Sequence, residues 1–99
     1  MKITESNFKK EVLEHKGLVL VDFFATWCGP CIMLQKELEL LENEYKDKLK
    51  ICKINVDEEP KLAMEFNISS IPYVRIYENG NLKNEFLGYR TSADIKKMI

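Results

Sequence analysis

Ninety-nine residues, 45% of them hydrophobic and 31% charged, are enough for one domain with its own core, and we expect residues 1–99 to form that single soluble unit. A formal net charge of −1, with both signs interspersed, gives no electrostatic case for nucleic acid or an anionic membrane, and no apolar stretch approaches membrane-spanning length. Three cysteines are too few and too odd in number for a disulfide framework. The start Met1-Lys2-Ile3-Thr4-Glu5 has no apolar export core, so the expected compartment is the cytoplasm, where such cysteines point to catalysis or metal.

Lys2 to Thr4 reads as a short first strand. Ser6 or Asn7 is a candidate cap for a helix with Phe8 and Val12 on its inner face, ending near Gly17. Leu18 to Phe24 is an apolar run with the length and β-branched, aromatic make-up of a buried strand. From about Pro30 to Lys46 the pattern turns helical, with Leu34, Leu38, Leu41 and Tyr45 on one stripe. Leu49 to Val56 is a further strand. Asp57-Glu58-Glu59-Pro60 signals a helix start leading into Leu62, Ala63 and Phe66, and Asn67 can end that helix. Ile71 to Tyr77 is strand-like, and Asn79-Gly80 is a strong hairpin signal that turns the chain back through Leu82 to Leu87. Thr91 with Asp94 three residues on resembles a capping box, opening a last helix with Ile95 and Ile99 inward. The order βαβαβαββα implies an α/β fold: a mixed central sheet with helices on both faces.

The chemistry concentrates in Trp27-Cys28-Gly29-Pro30-Cys31, where the second strand ends and the long helix begins. Pro30 suits a first helical turn, because its missing N–H has no partner to lose there. Cys28 then lies at the helix N-terminus, where free backbone N–H groups and the helix dipole favour an anion, and the reactive form of cysteine is the thiolate. Cys31, one turn on, is close enough to close a small disulfide ring with Cys28. The same spacing is also half of a structural zinc site, but zinc wants four ligands and only Cys52 and His15 remain, far apart in sequence.

The run Val21-Asp22-Phe23-Phe24-Ala25-Thr26-Trp27-Cys28-Gly29-Pro30-Cys31 resembles the active-site segment of the thioredoxin family. Later landmarks resemble it in order: Lys53-Ile54-Asn55-Val56-Asp57, Ile71-Pro72, Asn79-Gly80 and Gly88. The match runs from about Ile3 to Ile99. It implies the thioredoxin fold and a dithiol–disulfide oxidoreductase that reduces exposed protein disulfides, an enzyme of electron transport and cell redox homeostasis. In that reading Cys28 attacks a substrate disulfide and Cys31 resolves the mixed disulfide. The Gly29-Pro30 spacer resembles the reducing members of the family, which lack a histidine between the cysteines.

The resemblance also assigns roles around the pair. Asp22, a carboxylate in an otherwise apolar strand, would lie beneath the dithiol and relay the proton of Cys31; the plain alternative is a strand face turned to solvent. Lys53 would neighbour that acid and tune its pKa, or is simply solvated. Trp27 and Pro72 would rim the substrate groove, with Pro72 in a cis peptide. The backbone of Ile71 would pair with an extended substrate segment, and Gly29, Pro30 and Gly88 would let it approach closely. Gly88 alone reads equally as a strand terminator. Cys52 falls on one strand face with Ile54 and Val56, and free cysteine behaves as a small buried hydrophobe; an exposed regulatory thiol is the alternative. Four positions depart from the common family pattern: Phe24, Ile32, Lys36 and Tyr73.

No dinucleotide fingerprint occurs, so no bound cofactor and no metal are expected. The resemblance implies electrons from NADPH through a separate flavin-dependent thioredoxin reductase. The expected partners are that reductase and disulfide-containing proteins, and the expected state is a monomer. A glutathione-linked reductant is disfavoured, because no basic site for glutathione carboxylates surrounds the motif. A binding module in a larger complex, with redox turnover incidental, is the alternative of a different class.

Overall fold

The computed structural model describes Met1–Ile99. Four strands form one sheet in the order β2-β1-β3-β4: β1 (Leu18–Phe24), β2 (Leu49–Asn55), β3 (Tyr73–Glu78) and β4 (Asn81–Leu87). β1 is parallel to β2 and antiparallel to β3, and β3 and β4 make an antiparallel hairpin. Three α-helices cover the sheet: α1 (Gly29–Tyr45), α2 (Pro60–Glu65) and α3 (Ser92–Lys96). The sheet is mixed and flanked by helices, as the element order implies.

Alternation along β1 builds two cores. Val19, Val21 and Phe23 pack with Phe8, Val12 and Leu62 on one face, while Leu20 packs with Leu34, Leu38, Leu41 and Ile95 on the other. Both faces of β1 are therefore dry, which is why its sequence is continuously apolar rather than alternating. The leucine stripe of α1 is the cover for the second face. Asp22 falls on that face too, two residues from Leu20, and is 1% exposed.

Two sequence expectations change near the N-terminus. The first strand reduces to an isolated parallel bridge, Lys2 to Lys53, made by Ile3 N–H to Lys53 O at 2.8 Å and Lys53 N–H to Met1 O at 2.8 Å. The first helix is a five-residue π-helical turn, Lys9–Leu13, with Phe8 and Val12 inward. Neither Ser6 nor Asn7 caps it: Asn7 Oδ1 accepts from Thr4 N–H at 2.8 Å, and Ser6 Oγ pairs with Thr4 Oγ1. Lys50 Nζ donates to the Glu11 backbone carbonyl at 3.0 Å and to its carboxylate at 2.6 Å, tying this turn to β2 and occupying a carbonyl that a longer helix would use.

The remaining boundaries follow local chemistry. β3 begins after Ile71-Pro72 because proline has no N–H to give the ladder. Asn79 and Gly80 both have positive φ, 52° and 82°, as a two-residue hairpin turn of the primed type requires. A Cβ at Gly80 would run into the Leu13 carbonyl. Thr91 Oγ1 accepts from Asp94 N–H at 3.2 Å and caps α3 as read from the sequence.

Candidate active site

The dithiol is built by the end of a strand. β1 stops at Phe24, Ala25 to Trp27 form a turn, and Cys28 becomes the N-cap of α1 with extended backbone (φ −88°, ψ 113°). Cys28 Sγ accepts the backbone N–H of Cys31 at 3.2 Å, so sulfur takes the place that serine or aspartate oxygen usually holds at a helix start. The seventeen-residue α1 carries no acidic side chain in its first turn, which leaves its positive end to the sulfur. Cys28 and Cys31 form a disulfide with Cα atoms 5.2 Å apart. Cys28 is 6% exposed and Cys31 2%, so the edge of the disulfide that a partner can reach belongs to Cys28.

The residues singled out around the pair come together. The Ile71 carbonyl oxygen lies 4.0 Å from Cys28 Sγ, and Ile71 packs against the cysteine cluster. The Ile71–Pro72 peptide is cis. Gly88, at φ +90°, donates its N–H to the Pro72 carbonyl at 2.7 Å, bringing the end of β4 beside the Ile71-Pro72 segment. Trp27 is 70% exposed beside Cys28. Its indole N–H donates to Asp57 Oδ2 at 2.7 Å, which holds the ring in place. In the sequence Asp57 reads as a helix-start acid and as the end of the run Lys53-Ile54-Asn55-Val56-Asp57 that resembles the family; nothing in linear sequence links positions 27 and 57.

Beneath the pair, a cleft of about 160 Å³ is lined by Asp22, Phe24, Cys31, Ile32 and Gln35. Asp22 and Cys31 thus border one space, large enough for solvent to reach both. Burial pushes the Asp22 pKa from 3.8 to about 7, and Lys53, its partner in the β1–β2 register, partly opposes that rise. Asp22 Oδ1 has no hydrogen-bond partner. The Lys53 ammonium lies over the Phe24 ring, 5.9 Å from its centre. The Phe24 ring thus packs against this cation.

Cys52 lies on the opposite sheet face from Asp22, fully buried among Val21, Phe23 and Ile54, and burial raises its pKa. No group of three His, Cys, Asp or Glu side chains is arranged to hold a metal ion. No helix is long and apolar enough to cross a membrane.

The sequence profile of the family described as Thioredoxin matches residues 1–99. Among curated proteins, the thioredoxin of Rickettsia felis is 46% identical over 97 residues, covering 98% of this chain and 92% of that protein. The thioredoxin of Chlorobaculum thiosulfatiphilum is 42% identical over 96 residues, covering 97% and 89%. That of Listeria monocytogenes is 41% identical over 97 residues, covering 98% and 92%.

Proposed function

The chain belongs to the thioredoxin family and is a protein-disulfide oxidoreductase acting by dithiol–disulfide exchange; from that premise we propose that it is a cytoplasmic general reductant of exposed protein disulfides, with Cys28 as nucleophile, Cys31 as resolving thiol and Asp22 as proton relay. The observation that carries the assignment is the Cys31 N–H to Cys28 Sγ hydrogen bond at the start of α1. It solvates negative charge on Cys28 and on no other cysteine, and a thiolate is the attacking species.

In the first step the Cys28 thiolate attacks one sulfur of the substrate disulfide. The substrate S–S bond breaks, its other sulfur leaves as a thiolate and takes a proton from solvent, and a mixed disulfide joins Cys28 to the substrate. In the second step Cys31 gives its proton to the Asp22 carboxylate through the shared cleft and attacks Cys28 Sγ. The Cys28–Cys31 disulfide forms, the bond from Cys28 to the substrate breaks, and the second substrate sulfur leaves as a thiolate that takes the proton held on Asp22. Two electrons and two protons pass to the substrate. A carboxyl with a pKa of about 7 suits this exchange, because it is neither fully ionised nor fully protonated at neutral pH.

The substrate binds as an extended segment along Ile71, with Trp27, Gly29, Pro30, Pro72 and Gly88 around it. The exposed apolar side chains near the motif, Trp27, Ile32 and Met33, favour a polypeptide over a small charged disulfide. Electrons return from NADPH through a separate flavin-dependent thioredoxin reductase, and the protein works as a monomer without bound cofactor. Insulin-disulfide reduction with reductase and NADPH tests this reading: sustained NADPH oxidation is expected. Turnover only when glutathione is added would indicate a glutathione-linked reductant instead, and no turnover with either would indicate a binding module.

A further inference from the structure

The segment after Gly88 is anchored at both ends. Gly88 N–H bonds to the Pro72 carbonyl at 2.7 Å, and four residues later Ser92 N–H bonds to Glu37 Oε1 at 2.8 Å. Between them, the Arg90 guanidinium lies 5.0 Å from the centre of the Phe86 ring and 3.7 Å from Met98 Sδ. Tyr89 stays on the surface, 39% exposed; desolvation and then the charge of Glu37 raise its pKa. Glu37 lies on the stripe of α1 that begins at Pro30 and Met33, two turns on from Pro30. One carboxylate therefore ties the helix that carries the dithiol to the loop that follows Gly88.

We propose that Glu37 is a positioning residue for protein substrates: by holding Ser92 N–H, it ties the Gly88–Thr91 turn, and with it the exposed Tyr89, to the helix that carries Cys28. The capping of α3 does not require it, since Thr91 Oγ1 already accepts from Asp94 N–H. A second tie between the two helices, Lys96 Nζ to Glu44 Oε2 at 2.6 Å, lies two turns further along α1 and away from the dithiol. Removing Glu37 cuts the tie from the turn to α1 and leaves the Gly88–Pro72 bond and the Arg90 contacts with Phe86 and Met98. The groove wall then loosens, while the thiol chemistry at the start of α1 is untouched.

The inference rests on the groove reading above, and the test separates the two. Reduced protein is mixed with insulin, or with the small neutral hydroxyethyl disulfide, and the second-order rate is read by acid quench and alkylation of the remaining thiols. Glu37→Leu is expected to slow the insulin reaction about tenfold, the size of one lost hydrogen bond to a charged acceptor, with less than about a twofold change for hydroxyethyl disulfide. Glu37→Gln, which keeps an acceptor without the charge, should restore the insulin rate. Glu44→Leu, which cuts the distant tie between the helices, should leave both rates alone. An unchanged insulin rate in Glu37→Leu while Trp27→Ala slows it overturns the proposal and leaves the groove standing. If neither variant slows insulin, the groove reading falls and takes the proposal with it. Equal slowing of both disulfides, or of insulin by Glu44→Leu, assigns Glu37 a structural role only and also overturns the proposal.

Discussion

Asp22 lies directly across the β1–β2 ladder from Lys53, yet Asp22 Oδ1 has no hydrogen-bond partner and the lysine ammonium lies over the Phe24 ring. The pair therefore acts through space rather than through a bonded bridge. Burial dominates and raises the carboxyl pKa, and the lysine lowers it only in part. A bonded ion pair would have driven the pKa below its ordinary value and left no acid able to exchange a proton near neutral pH.

Asp22 should weaken the fold as pH rises. Its folded pKa of about 7 exceeds its ordinary value of 3.8, so the native state holds a proton that the unfolded chain releases between those limits. Stability is then lost from about pH 4 upward until pH passes about 7, by roughly 4 kcal/mol in all. Asp22→Ala should be more stable than the parent by about 2–4 kcal/mol at pH 8, with the gain disappearing near pH 4. Denaturant melts at both pH values measure it, and a gain independent of pH would exclude titration of Asp22 as the cause. Resolution of the mixed disulfide should be slower in the same variant.

Replacing Lys53 by methionine removes the one opposing charge. The Asp22 pKa should climb further above about 7, and the pH at which resolution reaches half its maximal rate should rise with it. A carboxyl carbon-13 titration of Asp22 in the two reduced proteins reads this directly. A fall in the pKa would contradict the sign of the coupling.

Cys28 and Cys31 should separate cleanly by substitution. Cys28→Ser is expected to abolish insulin reduction, whereas Cys31→Ser should accumulate a mixed disulfide through Cys28, visible by mass spectrometry. In the reduced protein iodoacetamide should label Cys28 first, because the Cys31 N–H stabilises its thiolate and Cys31 is the more buried thiol. Faster labelling of Cys31 would reverse the assignment.

Cys52 should take no part. It is fully buried against Val21 and Phe23, with a raised pKa. Cys52→Val is expected to keep full activity within about 1.5 kcal/mol of parental stability, as a near volume-conserving core exchange. Cys52 should react with thiol reagents only after unfolding. Rapid labelling of three thiols in the native reduced protein would show that the strand opens.

By itself, the sequence determined the elements whose signals are local. The leucine stripe of α1, the Asn79-Gly80 turn, the Thr91 cap and the placing of Cys28 at a helix start are read from residues a few positions apart, because helix periods, turn dihedrals and caps are set over that range. The resemblance of Val21 to Cys31 and of later landmarks such as Ile71-Pro72 added the reaction and named Asp22 and Pro72, but their surroundings depend on contacts between distant segments. Only the folded chain decided that Lys2 to Thr4 would make a single bridge, and that Lys50 would take the Glu11 carbonyl and leave a π-helical turn where a longer helix was expected. It alone set Asp57 on Trp27 and Glu37 on Ser92, thirty and fifty-five residues apart. A carboxylate on a polar helix face looks the same in sequence whether it meets water or a backbone N–H. Which it meets is decided by how α1, α3 and the sheet pack.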